Sequence, residues 1–121
     1  MSRTKQEVCD IVFSHAMKII ANPENQTNAF QIDDSIVEAY GKDSLPCFVG
    51  ALIPRSFALK TLDACWVDEL IAGNPEVKEF FCEDESFLID IQRIHDDLEV
   101  DQFIPKLKEL AKKNGLSFPN A

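Results

Sequence analysis

Two histidines, four cysteines and a crowd of carboxylates are the groups in this chain that could do chemistry. A histidine acting as general base needs an orienting group at one ring nitrogen and a substrate at the other. His15 lies in an apolar helical stretch, so it is expected to be a core or boundary residue. His95 is followed by Asp96 and Asp97, but adjacent side chains on a helix point apart. Glu99, four residues on, is the expected partner of His95, as a surface contact. The run Glu83-Asp84-Glu85 lacks the alternating oxygen ligands and the turn glycine of a calcium loop.

Cys9, Cys47, Cys65 and Cys82 follow one another at intervals of 38, 18 and 17 residues. No CxxC and no Cys/His pair at zinc-ligand spacing occurs, and no metal or other cofactor is expected. Four reduced thiols packed as small apolar residues are expected, with Cys65 beside Trp66 in the core. Cys82 sits against an acidic run, and negative charge disfavours a thiolate. The nucleophile and phosphate motifs GxSxG, GxxxxGK[ST] and GxGxxG are missing, and the four glycines form no phosphate-cradling loop. No catalytic residue is assigned, and the chain is expected not to be an enzyme.

Charge is the informative feature. The 121 residues carry a formal net charge of -9. Residues 63–101 hold 13 acidic residues against Lys78 and Arg93, whereas residues 102–121 hold four lysines against Glu109. Lys106, Lys108, Lys112 and Lys113 follow the acidic region after a short turn and are expected to lie beside it. This balance argues against direct nucleic-acid binding and against attraction to an anionic membrane. The uncharged run from Ser44 to Pro54 is the longest, at 11 residues, and a membrane-spanning helix needs about 20. The charged opening, Met1 to Glu7, is expected not to be a secretory signal, which makes the cytoplasm the expected compartment.

The elements that position these groups read as helical. Thr4 and Glu7 have capping-box spacing ahead of a helix to Ala21, with Val8, Ile11, Val12, Met17, Ile19 and Ile20 forming a broad apolar stripe. Residues 23–32 read as a loop. Ser35 and Glu38 repeat the box before a short helix ending at Gly41. The stretch 45–53 suits a buried helix or strand, and the helix is favoured because no second alternating run offers a partner strand. Ser56 is expected to cap a helix to Gly73 with Leu59, Leu62, Trp66 and Leu70 on one face. Pro75 restarts the chain, and a break is expected near Glu83-Asp84, followed by a helix turning Phe87, Leu88, Ile91, Ile94 and Leu98 inward. A last helix starts near Asp101 or Pro105 and stops at Gly115, after which Leu116 and Phe118 fold back on the core.

These readings predict one all-α domain over residues 1–121, with five to six short helices and mostly antiparallel neighbours. The expected function is a small protein–protein interaction module of inhibitor, immunity or regulatory-adaptor type. It binds a basic protein surface through the acidic 63–101 region. Asp68, Glu76, Glu79, Glu83, Asp90 and Asp97 are the candidate contacts. Phe80 or Phe81 is a candidate oligomer contact, since adjacent aromatics on one helix cannot share one core line. Two other classes compete. One is a small enzyme or cofactor-binding subunit. The other is a nucleic-acid mimic, disfavoured because 13 carboxylates over 39 residues give one charge per roughly 4.5 Å of helix, against one per roughly 1.7 Å in duplex DNA.

Overall fold

The computed structural model describes residues 2–57, 59 and 66–118. Helix α1 spans Lys5–Ala21. Its start is the expected capping box: Thr4 Oγ1 accepts from the Glu7 amide at 3.1 Å, and Glu7 Oε1 accepts from the Thr4 amide at 3.0 Å. Val8, Val12, Ala16 and Ile19 fall at steps of four, four and three and are buried. Met17 and Ile20, expected in this stripe, flank it and are exposed.

The stretch 45–53 is not the helix expected. Gln26 and Leu45 form an isolated parallel bridge. Around it the Leu45 amide donates to Asn25 O at 2.7 Å, Thr27 to Leu45 O at 2.9 Å and Cys47 to Ala29 O at 2.9 Å. The chain then folds into a 3-10 turn over Gly50–Leu52. The missing strand partner was the polar loop 25–29, which has no alternating pattern to announce it. Gly50 is required there, because a Cβ would stand 2.5 Å from the Phe30 carbonyl oxygen.

Helix α2, Asp34–Tyr40, is capped by Asp33 and not by Ser35. Asp33 Oδ1 accepts from the Ile36 amide at 3.0 Å and from Ser35 Oγ at 2.7 Å, so the serine supports the cap without being it. The helix stops at Gly41, whose φ of 103° favours glycine.

The helix expected from Ser56 does not start there. The Phe57 amide closes a turn on Pro54 O at 3.0 Å, and α3 spans only Val67–Gly73. Trp66 precedes it as the cap residue and is exposed, so it leaves the face that Leu70 buries. The expectations for Leu62 and Cys65 lie outside the described residues.

A 3-10 segment over Pro75–Phe80 leads to the expected break, and α4 spans Glu85–Asp97. Asp84 caps it, with Oδ1 accepting from the Phe87 amide at 3.1 Å. Phe87, Leu88 and Ile91 are buried as expected, while Ile94 and Leu98 are half-buried. Helix α5 spans Phe103–Lys113. Beyond it the Leu116 amide donates to Ala111 O at 2.9 Å and the Gly115 amide to Lys112 O at 3.1 Å, a Schellman close with Gly115 at φ 69°. Phe118 folds back as expected, edge-on to Phe13 at 4.9 Å.

The architecture is all-α. The first turns of α1 and α4 meet at the Lys5–Asp84 ion pair, 2.9 Å long, and both helices run toward Phe48. Helix α5 runs the other way: Phe103 at its start packs on Phe48 at 4.9 Å, and Asn114 past its end accepts from Lys5 Nζ at 3.2 Å. Short connections favour this antiparallel placement of α4 and α5. Helix α3 lies against α4. Arg3 ties the layers, since Nη1 donates to Leu52 O at 2.7 Å and to Phe80 O at 2.8 Å. Among the described residues no helix is long and apolar enough to cross a membrane.

Candidate functional site

The histidines belong to the interior. His15 Nε2 lies 2.6 Å from Pro46 O, and a carbonyl only accepts, so this nitrogen carries the proton. His95 is 5% exposed, and its Nδ1 lies 3.1 Å from Asp96 Oδ1. Its partner is therefore Asp96 and not Glu99, and the contact starts from a buried ring. The reason is placement. His95 points inward, while Asp96 stands at the helix edge, where its carboxylate can turn back over the ring. With Nδ1–H donating, Nε2 is a buried nitrogen without a hydrogen-bond partner. Phe48 lies between the two imidazoles, edge-on to His95 at 5.0 Å and to His15 at 6.4 Å, and Phe103 stacks on His95 at 5.9 Å. Burial pushes both histidines below the usual imidazole value, and the Asp96 carboxylate partly opposes this for His95.

Cys9, Cys47 and Cys82 are free and buried. Burial pushes the Cys47 thiol up to about 12. Burial also raises Cys82, opposed by its hydrogen bond to the Asp84 carbonyl, and it raises Cys9, where the Asp10 charge adds to it. These thiols stay protonated and pack as apolar groups. Among the described residues no cluster of three or more His, Cys, Asp or Glu is placed to hold a metal ion.

The surface offers more. Two hollows flank the seam between α3 and α4, and Glu85 borders both. The larger, about 460 Å³, has Ile71, Phe81 and Leu88 against Glu79 and Glu83, with Lys78 also on its rim. The smaller, about 230 Å³, has Trp66, Val67 and Ile89 against Asp68 and Asp96, with Arg93 on its rim. The two hollows share Glu85 as a border and are taken together as the α3–α4 trough, whose rim is mainly acidic. From Glu85 to Asp96 the trough follows α4 for about 16 Å, three turns of helix.

Three of the six expected contact residues share this trough: Asp68 at its head, Glu79 and Glu83 at its foot. Asp90 and Asp97 do not. They are seven residues apart on one stripe of α4, about a third of a turn round from Glu85, Ile89 and Asp96. Glu76 is exposed on the 3-10 segment. Phe81 is 1% exposed and faces the core, while Phe80 is half-buried and meets Phe57 edge-on at 5.4 Å. The lysines of α5 are exposed, and Lys106 pairs at 3.1 Å with Glu109 of its own helix.

Sequence reasoning missed Trp66, Glu85 and Asp96 as site residues. Asp96 is the most firmly held carboxylate of the trough. Gln92 Nε2 donates to Oδ1 and Oδ2 at 3.2 and 3.4 Å, His95 donates to Oδ1, and Gln92 Oε1 is itself fixed by the Val49 amide at 3.0 Å. The four-residue step from Gln92 to Asp96 was a readable signal for that bond. Comparison with protein-family models, curated proteins and solved structures gives no match.

Proposed function

We propose that this chain is a protein–protein interaction module that docks a basic, amphipathic protein segment in the α3–α4 trough. The observation that carries the reading is Trp66, 66% exposed at the head of an acid-rimmed groove. Tryptophan is the residue most often found as a binding anchor, and leaving a large indole in water has no folding benefit. The rim supplies the complement: Asp68, Glu79, Glu83, Glu85 and Asp96 line it against the cations Lys78 and Arg93. An apolar stripe of the partner meets Trp66, Ile71 and Ile89, while its cations meet the rim. Such charge complementarity raises the association rate and orients the partner more than it deepens affinity. Inhibitor, immunity protein and regulatory adaptor are three uses of such a surface. The reading includes a reducing, cytoplasmic setting, supported by the free thiols of Cys9, Cys47 and Cys82.

The test is affinity capture from the native cell at about 50 and about 500 mM salt, which shortens the screening length from roughly 14 to roughly 4 Å. The same capture is run with Asp68, Glu79 and Glu83 changed to Lys, and the folding of each variant is checked by circular dichroism. The expected result is a basic protein retained at low salt, weakened at high salt and lost on charge reversal. A partner set indifferent to both salt and charge reversal makes the acidic rim a solubility feature and overturns the reading.

A further inference from the structure

We infer that the head of the trough is a subsite for one arginine side chain of the docked segment, its guanidinium stacked on Trp66 and paired with Asp96. This inference rests on the docking reading above. The indole stands clear of the protein because Val67, the next residue, is buried at 3% and starts α3, which leaves Trp66 outside the helix as its cap residue. The same groove is lined by Asp68, Glu85 and Asp96, with Ile89 as an apolar wall. Asp96 cannot swing freely, since Gln92 and His95 both donate to it and Gln92 is anchored on the Val49 backbone. A fixed carboxylate and an exposed π face lining one groove are matched by a planar cation with a fork of N–H donors. An ammonium is a compact, strongly hydrated point charge and uses neither the plane nor the fork. Arg93, exposed on the rim, puts a like charge at the same place and opposes the incoming cation.

Trp66 is the single tryptophan of the chain, so its emission reports occupancy of this subsite directly. The probes are two 14-residue amphipathic peptides with a leucine face, one with arginine on the polar face and the other with lysine. Their binding is followed by Trp66 emission and by anisotropy of a fluorescein label. The arginine peptide is expected to bind roughly three- to tenfold tighter than the lysine peptide and to shift Trp66 emission. In Trp66→Leu and in Asp96→Asn the preference for arginine falls to parity by anisotropy, while salt-sensitive binding of both peptides persists. In Arg93→Gln both peptides bind more tightly. If both peptides bind wild type equally and Trp66→Leu changes neither, the arginine subsite is wrong and the docking reading stands. If neither peptide binds at low salt, both are overturned.

Discussion

Lowering the pH from 7.5 to 5 should destabilise this protein, and the two buried histidines are the reason. Each has its folded-state value pushed below the ordinary 6.5, with burial as the largest cause. The unfolded chain therefore takes up protons first. The stability these groups contribute is present above about pH 6.5 and is lost as pH falls from there toward their folded-state values. Between those limits each histidine changes stability by up to about 1.4 kcal/mol per pH unit, so the pair gives a slope of up to about 2.7 kcal/mol per unit. The structure also says where the proton would go. In His95 it must add to Nε2, which is buried without an acceptor. In His15 it must add to Nδ1, since Nε2 already donates to Pro46. The assay is urea unfolding at half-unit steps between pH 7.5 and 5, on wild type and on the double variant His15→Gln, His95→Asn. Gln places its amide nitrogen near the position of His15 Nε2, and Asn near that of His95 Nδ1, so both hydrogen bonds are kept. Carboxylates whose values are lowered, such as Asp33 and Asp84, lose their contribution only as pH falls below about 4, outside the window. A wild-type slope in that window equal to the slope of the double variant refutes the assignment.

Backbone contacts separate the glycines. Gly50→Ala should cost about 1–3 kcal/mol or more, because its Cβ meets the Phe30 backbone at 2.5–2.9 Å, whereas Gly115→Ala, with nothing within 4 Å and φ at 69°, should cost about 1–2 kcal/mol. Urea midpoints order the two, and a Gly50→Ala protein as stable as wild type counts against the packing of the 48–53 turn on Phe30. Asp84→Ala should lose about 1 kcal/mol with the α4 cap, while Asp84→Asn, which keeps a cap acceptor and loses only the half-exposed pair with Lys5, should lose less than about 0.5 kcal/mol. Equal losses in thermal melts would put the weight on the ion pair instead.

Where a signal was local, the sequence was legible. The Thr4 box, the break at Glu83-Asp84 and the Gly115 close are each written in residues that bond to neighbours three to five positions away, and α1, α4 and α5 follow. The 45–53 stretch failed because its conformation is set by carbonyls and amides some 18 to 20 residues away, in a loop with no periodic pattern. The late start of α3 leaves Trp66 in solvent, against the spacing that linked it to Leu70. The acidic surface was visible as a density of charge, but composition does not say which flank of α4 a neighbour covers. Helix α3 builds the trough along Glu85, Ile89 and Asp96, so the half-buried Asp90 and the exposed Asp97 are left on another side.

The contacts of α1 bear on how quickly the chain reaches this state. Lys5 bonds Asn114 across 109 positions, and the Gln6 side chain both donates to and accepts from the Ser117 backbone across 111. Arg3 closes on Leu52 and Phe80 across 49 and 77. In an up-and-down helical bundle most contacts are with the next helix, and assembly can proceed by zipping. Here the first helix packs on the 46–52 segment and also on the last helix of the chain. A loop of 109 positions must close before α1 meets the end of α5, and its entropy is lost before those contacts return it. An all-helical protein wired in this way folds on the clock of mixed α/β domains, on the order of milliseconds or longer, despite containing no named strand among its described residues.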